Sequence, residues 1–156
     1  MIKTFFKIIA WILVLVILTV GGYAAYLLLD YERIENNVEI SVRHGDAIKP
    51  EAGMEYKLIS YNIGFAAYTS DFGFFMDGGS ESRAFSKQSV LDTMSGIISV
   101  LKEEDADFMM IEEVDEDATR SYYVNERSLL ESAFSDGAAA FAVNYDSSYF
   151  FYPFSA

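Results

Sequence analysis

Two short segments bring together residue types that hold hard cations. Ser60-Tyr61-Asn62-Ile63 and Ile111-Glu112-Glu113-Val114-Asp115 each end a run of apolar, aromatic and β-branched residues. An amide and a carboxylate at the ends of buried strands are costly to bury unless paired or metal-bound. Such oxygen donors suit Mg²⁺, which takes one or two protein carboxylates and keeps positions for water and phosphate. Residue type and spacing thus point to a Mg²⁺ (or Mn²⁺) site built from Asn62 and either Glu112 or Glu113. They also fit a solvated acidic turn, Glu112 to Asp117, that caps a helix.

Other combinations carry less. Asp115-x-Asp117-x-Thr119 with Glu126 at the twelfth position mimics a calcium loop. Arg120, however, stands where that loop needs glycine for its sharp turn. His44 is the sole histidine, beside Gly45, with no neighbour to hold its tautomer. It reads as a solvated loop residue. The absence of cysteine excludes disulfides, thiolate zinc sites and cysteine nucleophiles, and is neutral about compartment.

The elements that must position Asn62 and Glu113 follow from the pattern. Residues 55–63 read as a strand, closed by Gly64. Residues 64–85 have four glycines and no period; so long a loop is often functional. Ser86 or Ser89 opens a helix, with Val90, Leu91, Met94, Ile97, Ile98 and Leu101 on one face. Phe108–Val114 is a second strand. Asp115–Asp117 is expected to cap a helix that continues or restarts through Glu126–Phe134. Ala139–Tyr145 is expected as a third strand, and Val38–Val42 as a short one. The β-α-β-α-β order suggests an α/β sandwich.

Composition narrows the classes. Among 156 residues, 52% are hydrophobic and 16% aromatic, which disfavours disorder. The first 29 residues hold two charges, Lys3 and Lys7. The remaining chain carries 24 acidic residues against 9 basic ones, a net charge of −15. A surface so acidic, without a basic stripe, disfavours nucleic acid as a partner.

Residues 8–29 contain no charge, and a helix of about 20 apolar residues spans a bilayer. Lysines before it and Asp30 and Glu32 after it predict a cytoplasmic N-terminus and an extracytoplasmic remainder. The run exceeds the about 7–15 residues of a signal-peptide core, so an uncleaved single-pass anchor in the cell membrane is expected. The expected organisation is a tail at 1–7, an anchor at 8–29, a stalk at 30–53 and a domain at 54–156. Gly21-Gly22 is insufficient to argue dimerisation.

SYNI followed by EEVD resembles the two N-terminal motifs of the endonuclease/exonuclease/phosphatase superfamily, the DNase I-like fold. The resemblance covers about residues 54–150. It implies an N-terminal portion of a DNase I-like α/β sandwich, a Mg²⁺ cofactor and hydrolysis of phosphoesters such as phospholipids or small molecules. On this resemblance Asn62 organises metal and phosphate, and Glu113 binds Mg²⁺. Glu112 stands where glutamine is more usual. The loop Asp71–Gly79 is similar to that of membrane-anchored bacterial members, and suggests a substrate rim with Asp71, Asp77, Arg83 or Arg120.

The resemblance also implies groups that this chain lacks. The family's Asp-x-Asn motif, central histidine and terminal Asp-His pair have no counterpart here, so no nucleophile or base is assigned. The expectation is a truncated, inactive piece of a membrane-anchored phosphodiesterase-type hydrolase. Tyr149-Phe150-Phe151-Tyr152 would then lack a covering sheet, an aggregation hazard. The alternative is a non-catalytic, membrane-tethered module that presents an aromatic surface to a protein or lipid.

Overall fold

The computed structural model describes residues 2–31, 34–45, 49–144 and 146. It divides into two compact units, one built on the N-terminal helix and the other running over residues 41–141. The first helix, α1, spans Ile2–Asp30, and none of its described side chains is buried. With a mean hydropathy of 2.4 it is long and apolar enough to cross a membrane.

The second unit mixes helix and sheet. Strands β2 (Leu58–Asn62) and β3 (Phe108–Glu112) pair in parallel, with Leu58 opposite Phe108 and Asn62 opposite Glu112. Parallel pairing needs a crossover, and helix α2 (Lys87–Glu104) supplies it. Ser86 caps α2: its hydroxyl accepts the Ser89 N–H at 3.0 Å, and its own N–H donates to the Ser89 hydroxyl at 3.0 Å. Asp105 closes the helix in the left-handed region at φ 45°.

The expected apolar face packs the core except at Leu91, which is exposed. Val90, Met94, Ile97 and Leu101 of α2 are buried with Ile63, Phe65, Ala66, Ala67, Ala84 and Val124. Ile59, Met109 and Ile111 lean against this cluster from the sheet. Each large apolar side chain buried here contributes about 1.5–3 kcal/mol. Leu58, Phe108 and Met110 lie on the other face of the strands and are exposed.

The loop at 64–85 is organised by aromatic packing. Phe65 is fully buried, and Tyr68, Phe72 and Phe74 meet its ring edge-on at 5.7–6.0 Å. Short 3₁₀ turns form at Gly64–Ala66 and Phe75–Asp77. Phe75 N–H donates to Glu81 O at 2.8 Å, which closes the loop's far end. Sequence periodicity is blind to such turns, because their contacts are not spaced at 2 or 3.6 residues.

Several elements depart from expectation. Strand β3 stops at Glu112, because Glu113 adopts φ 56° and leaves the extended region. Asp115–Asp117 cap no helix. Helix α3 (Glu126–Ala133) is capped by Asn125, whose Oδ1 accepts the Ser128 N–H at 2.7 Å. The third expected strand shortens to β4 (Ala139–Ala140), and its Tyr145 lies outside the described residues. Strand β4 pairs antiparallel with β1 (Val42–Arg43), which shares only Val42 with the strand expected at Val38–Val42. The described residues among 41–53 of the expected stalk thus fall in the second unit. Arg43 reinforces the junction by donating to Phe134 O at 3.0 Å and Ser135 O at 2.6 Å, the end of α3. Tyr149–Tyr152 lie outside the described residues.

Candidate functional site

Asn62 and Glu113 meet at the carboxyl ends of β2 and β3. Strand alternation alone would send Glu113 to the face opposite Glu112, the register partner of Asn62. The left-handed backbone at Glu113 breaks that alternation. Its side chain then accepts a hydrogen bond from Asn62 Nδ2 at 2.9 Å. Asn62 Oδ1 accepts the Gly64 N–H at 2.9 Å. A backbone N–H only donates and an ionised carboxylate only accepts, so this orientation of the amide satisfies both neighbours. Asn62 therefore reaches Glu113 through nitrogen and fixes the carboxylate's direction.

The backbone here is strained as well as bonded. Phe65, Ala66 and Glu113 all have positive φ, at 42°, 49° and 56°. A left-handed non-glycine residue costs about 1–2 kcal/mol, and such strain gathers at functional sites. Phe65 N–H donates to Glu113 O at 3.0 Å and Ile63 N–H to Glu112 O at 3.0 Å, which clamps the two strand ends together.

A cleft of about 370 Å³ opens over this junction, lined by Asn62, Gly64, Tyr68, Asp77 and Glu113. Tyr68 donates its phenolic hydrogen to Asp77 Oδ2 at 2.8 Å. Burial, that hydrogen bond and the negative charges of Asp77 and Glu113 push the phenol up to about 12. Tyr68 thus stays protonated at neutral pH.

Behind Glu113 stands Arg120. Its Nε and Nη2 grip the Asp115 carboxylate at 2.9–3.2 Å, and its guanidinium lies 4.2 Å from the centre of the buried Phe65 ring. Its Nη1 lies 3.6 Å from Glu113 Oε2, an ion pair too long for a hydrogen bond. Asp115 is held from the other side by Glu126, whose Oε2 accepts the Asp115 N–H at 2.9 Å. Glu126 is fully buried, and among the described residues its Oε1 has no hydrogen-bond partner. Burial pushes this carboxyl up to about 8.

Of the rim residues expected from sequence, Asp77 lines the cleft. Asp71 accepts a hydrogen bond from Thr69 at 2.7 Å, and Arg83 lies over the Tyr122 ring at 5.1 Å. Arg120 stands behind Glu113 and is absent from the cleft lining. Sequence reasoning missed Tyr68 and Gly64 as lining residues and Glu126 as a buried acid. The only available signal for Gly64 was its place directly after the strand. Asp115 and Glu126, ends of the false calcium loop, do meet, but through a backbone N–H.

The donor set fits one Mg²⁺ bound through a single carboxylate. Glu113 Oε1 is oriented by Asn62, and among the described residues Oε2 has no hydrogen bond of normal length. Mg²⁺ accepts one protein carboxylate with waters and phosphate in its other positions. Among the described residues no three His, Cys, Asp or Glu side chains gather as an all-protein metal cage. Comparison of the chain with protein-family models, curated proteins and solved structures finds no match.

Proposed function

We propose that this chain is the metal-binding portion of a membrane-anchored, Mg²⁺-dependent phosphoesterase of endonuclease/exonuclease/phosphatase type. One observation carries the reading: Asn62 hydrogen-bonds Glu113 at 2.9 Å, outside the carboxyl ends of adjacent parallel strands. Ligands of open α/β sheets bind at that edge. The exposed apolar face of Leu58, Phe108 and Met110 supports a DNase I-like sandwich, since parallel strands are ordinarily covered on both faces.

Glu113 would hold the ion, and Asn62 would aim the carboxylate. Bound Mg²⁺ supplies Lewis-acid polarisation of a phosphoryl oxygen and charge stabilisation in the transition state. Tyr68, kept protonated, offers a hydroxyl on the cleft wall. Hydrolysis also needs a base to activate water, and His44 is the sole histidine. On this reading the 156 residues bind the ion without turning over substrate by themselves. An extracytoplasmic domain on a cytoplasmic N-terminus is the orientation that Lys3 and Lys7 before the charge-free stretch 8–29, and Asp30 and Glu32 after it, favour.

The test is calorimetric titration of Mg²⁺ into the detergent-solubilised full chain. Saturable binding to the parent and its loss in Glu113→Ala is the expected result. Equal affinity in both proteins would remove Glu113 from the site and favour the non-catalytic tethered module.

A further inference from the structure

We propose that Asp115 is a positioning residue that withholds Arg120 from Glu113 and so keeps Glu113 open to a divalent cation. The inference rests on the metal-site reading above, and goes beyond it by assigning work to two residues that do not line the cleft.

The geometry is asymmetric. Arg120 has two carboxylates within reach. It makes charge-assisted hydrogen bonds of 2.9–3.2 Å to Asp115 through Nε and Nη2, and approaches Glu113 no closer than 3.6 Å through Nη1. A two-point grip of guanidinium on carboxylate is the stronger and more directional arrangement. The grip is also anchored on both sides. The Asp115 side chain is only 9% exposed, and its backbone N–H and O bond the Glu126 side chain and Glu126 N–H at 2.9 Å each. Arg120 rests on the Phe65 ring, and its carbonyl accepts the Ala84 N–H at 2.8 Å. Arg120 is therefore committed to Asp115.

Glu113 gains from this commitment. Its side chain is 41% exposed and faces the cleft, yet a guanidinium stands behind it. Released from Asp115, that guanidinium would close the remaining distance and pair with Glu113 directly. A paired carboxylate must lose its partner before it can ligate a metal, so affinity would fall. With no cation at position 120, Glu113 would meet no competitor.

The experiment is Mg²⁺ calorimetry on the full chain in detergent, comparing the parent with Asp115→Asn, Arg120→Met, Arg120→Lys and the Asp115→Asn/Arg120→Met double variant. Asp115→Asn should weaken binding by roughly two- to fivefold, the scale of one partly exposed ion pair. Arg120→Lys, which keeps the charge and loses the two-point grip, should weaken it similarly. Arg120→Met should tighten it. In the double variant the effect of Asp115→Asn should vanish, because no cation remains to be released. A purely structural role for Asp115 would persist in the Arg120→Met background, and that result overturns the proposal. So does Arg120→Lys binding as tightly as the parent, which keeps the question open to test if Asp115→Asn does not fold. A parent that binds no Mg²⁺ overturns the metal-site reading itself, a different and separable failure.

Discussion

Glu126→Gln should remove most of the fold's stability change between mildly acidic and mildly alkaline pH. Glu126 is fully buried, one carboxyl oxygen accepts the Asp115 N–H, and the other has no partner among the described residues. Burial raises its pKa from 4.5 to about 8, so the folded chain holds a proton that the unfolded chain releases. Stability tied to that proton is fully present below pH 4.5, declines as pH rises, and is lost by about pH 8. The displacement corresponds to at most about 5 kcal/mol at full ionisation, a large share of a domain's total of about 5–15 kcal/mol. Glutamine keeps the shape, and its oxygen can still accept the Asp115 N–H. Its Nε2 inherits the position without a partner, a cost of about 1–3 kcal/mol at every pH. The variant should therefore be less stable than the parent at pH 5 and more stable at pH 8.5, with the curves crossing between. Urea melts of the full chain in detergent, followed by tyrosine near-UV circular dichroism from pH 5 to 9, measure this directly. The variant cancels the general repulsion of an acidic surface, because it leaves every exposed charge in place. Parallel curves for the two proteins would refute the buried-proton reasoning.

Three other outcomes follow from the same packing. Gly79→Ala would drive a Cβ into the Gly73 carbonyl, against backbone that cannot yield cheaply. Thermal melts should show a loss of about 1–3 kcal/mol, and an unchanged melting temperature would contradict the loop closure described. Met94→Ala removes a side chain only 1% exposed from the α2 core face. Its urea midpoint should fall by the equivalent of about 2–5 kcal/mol, whereas a near-neutral result would mean that α2 does not carry the core. The full chain with saturating Mg²⁺ should release no nitrophenol from bis(p-nitrophenyl) phosphate; clear Mg²⁺-dependent turnover would show that a base other than histidine operates here.

The long-period features were legible in the sequence, and the local ones were not. Val90, Met94, Ile97 and Leu101 repeat along one helical face, and that face is the buried one. The strands at Leu58–Asn62 and Phe108–Glu112 showed in their apolar and β-branched runs. Residue type and spacing pair Asn62 with Glu112 or Glu113 without choosing between them; in the structure Asn62 hydrogen-bonds Glu113. The means of their meeting was hidden. A positive φ at Glu113, a non-glycine residue, leaves no mark in composition or period, yet it decides which glutamate faces Asn62. Arg120 enters the expected rim through the family resemblance, which carries no information on its local partners. Its partner Asp115 and the stacking on Phe65 turn it inward, and both depend on how residues 64–85 fold back. Glu126 was invisible for a similar reason: a glutamate at a helix start ordinarily serves the dipole, and only the packing of Asp115 against it buries the carboxyl. The pairing of Val42–Arg43 with Ala139–Ala140 joins two-residue segments, too short for any periodic signal.

Paramagnetic Mn²⁺ tests directly whether a divalent cation binds on Glu113 at the junction of β2 and β3. In a titration of isotopically labelled full chain in detergent, amide signals should broaden first at Asn62, Gly64 and Glu113. Substitution of Glu113 by alanine should abolish that pattern. Broadening centred instead on Glu116 and Asp117, with Gly64 unaffected, would show that the acidic turn merely attracts counterions and would contradict the account.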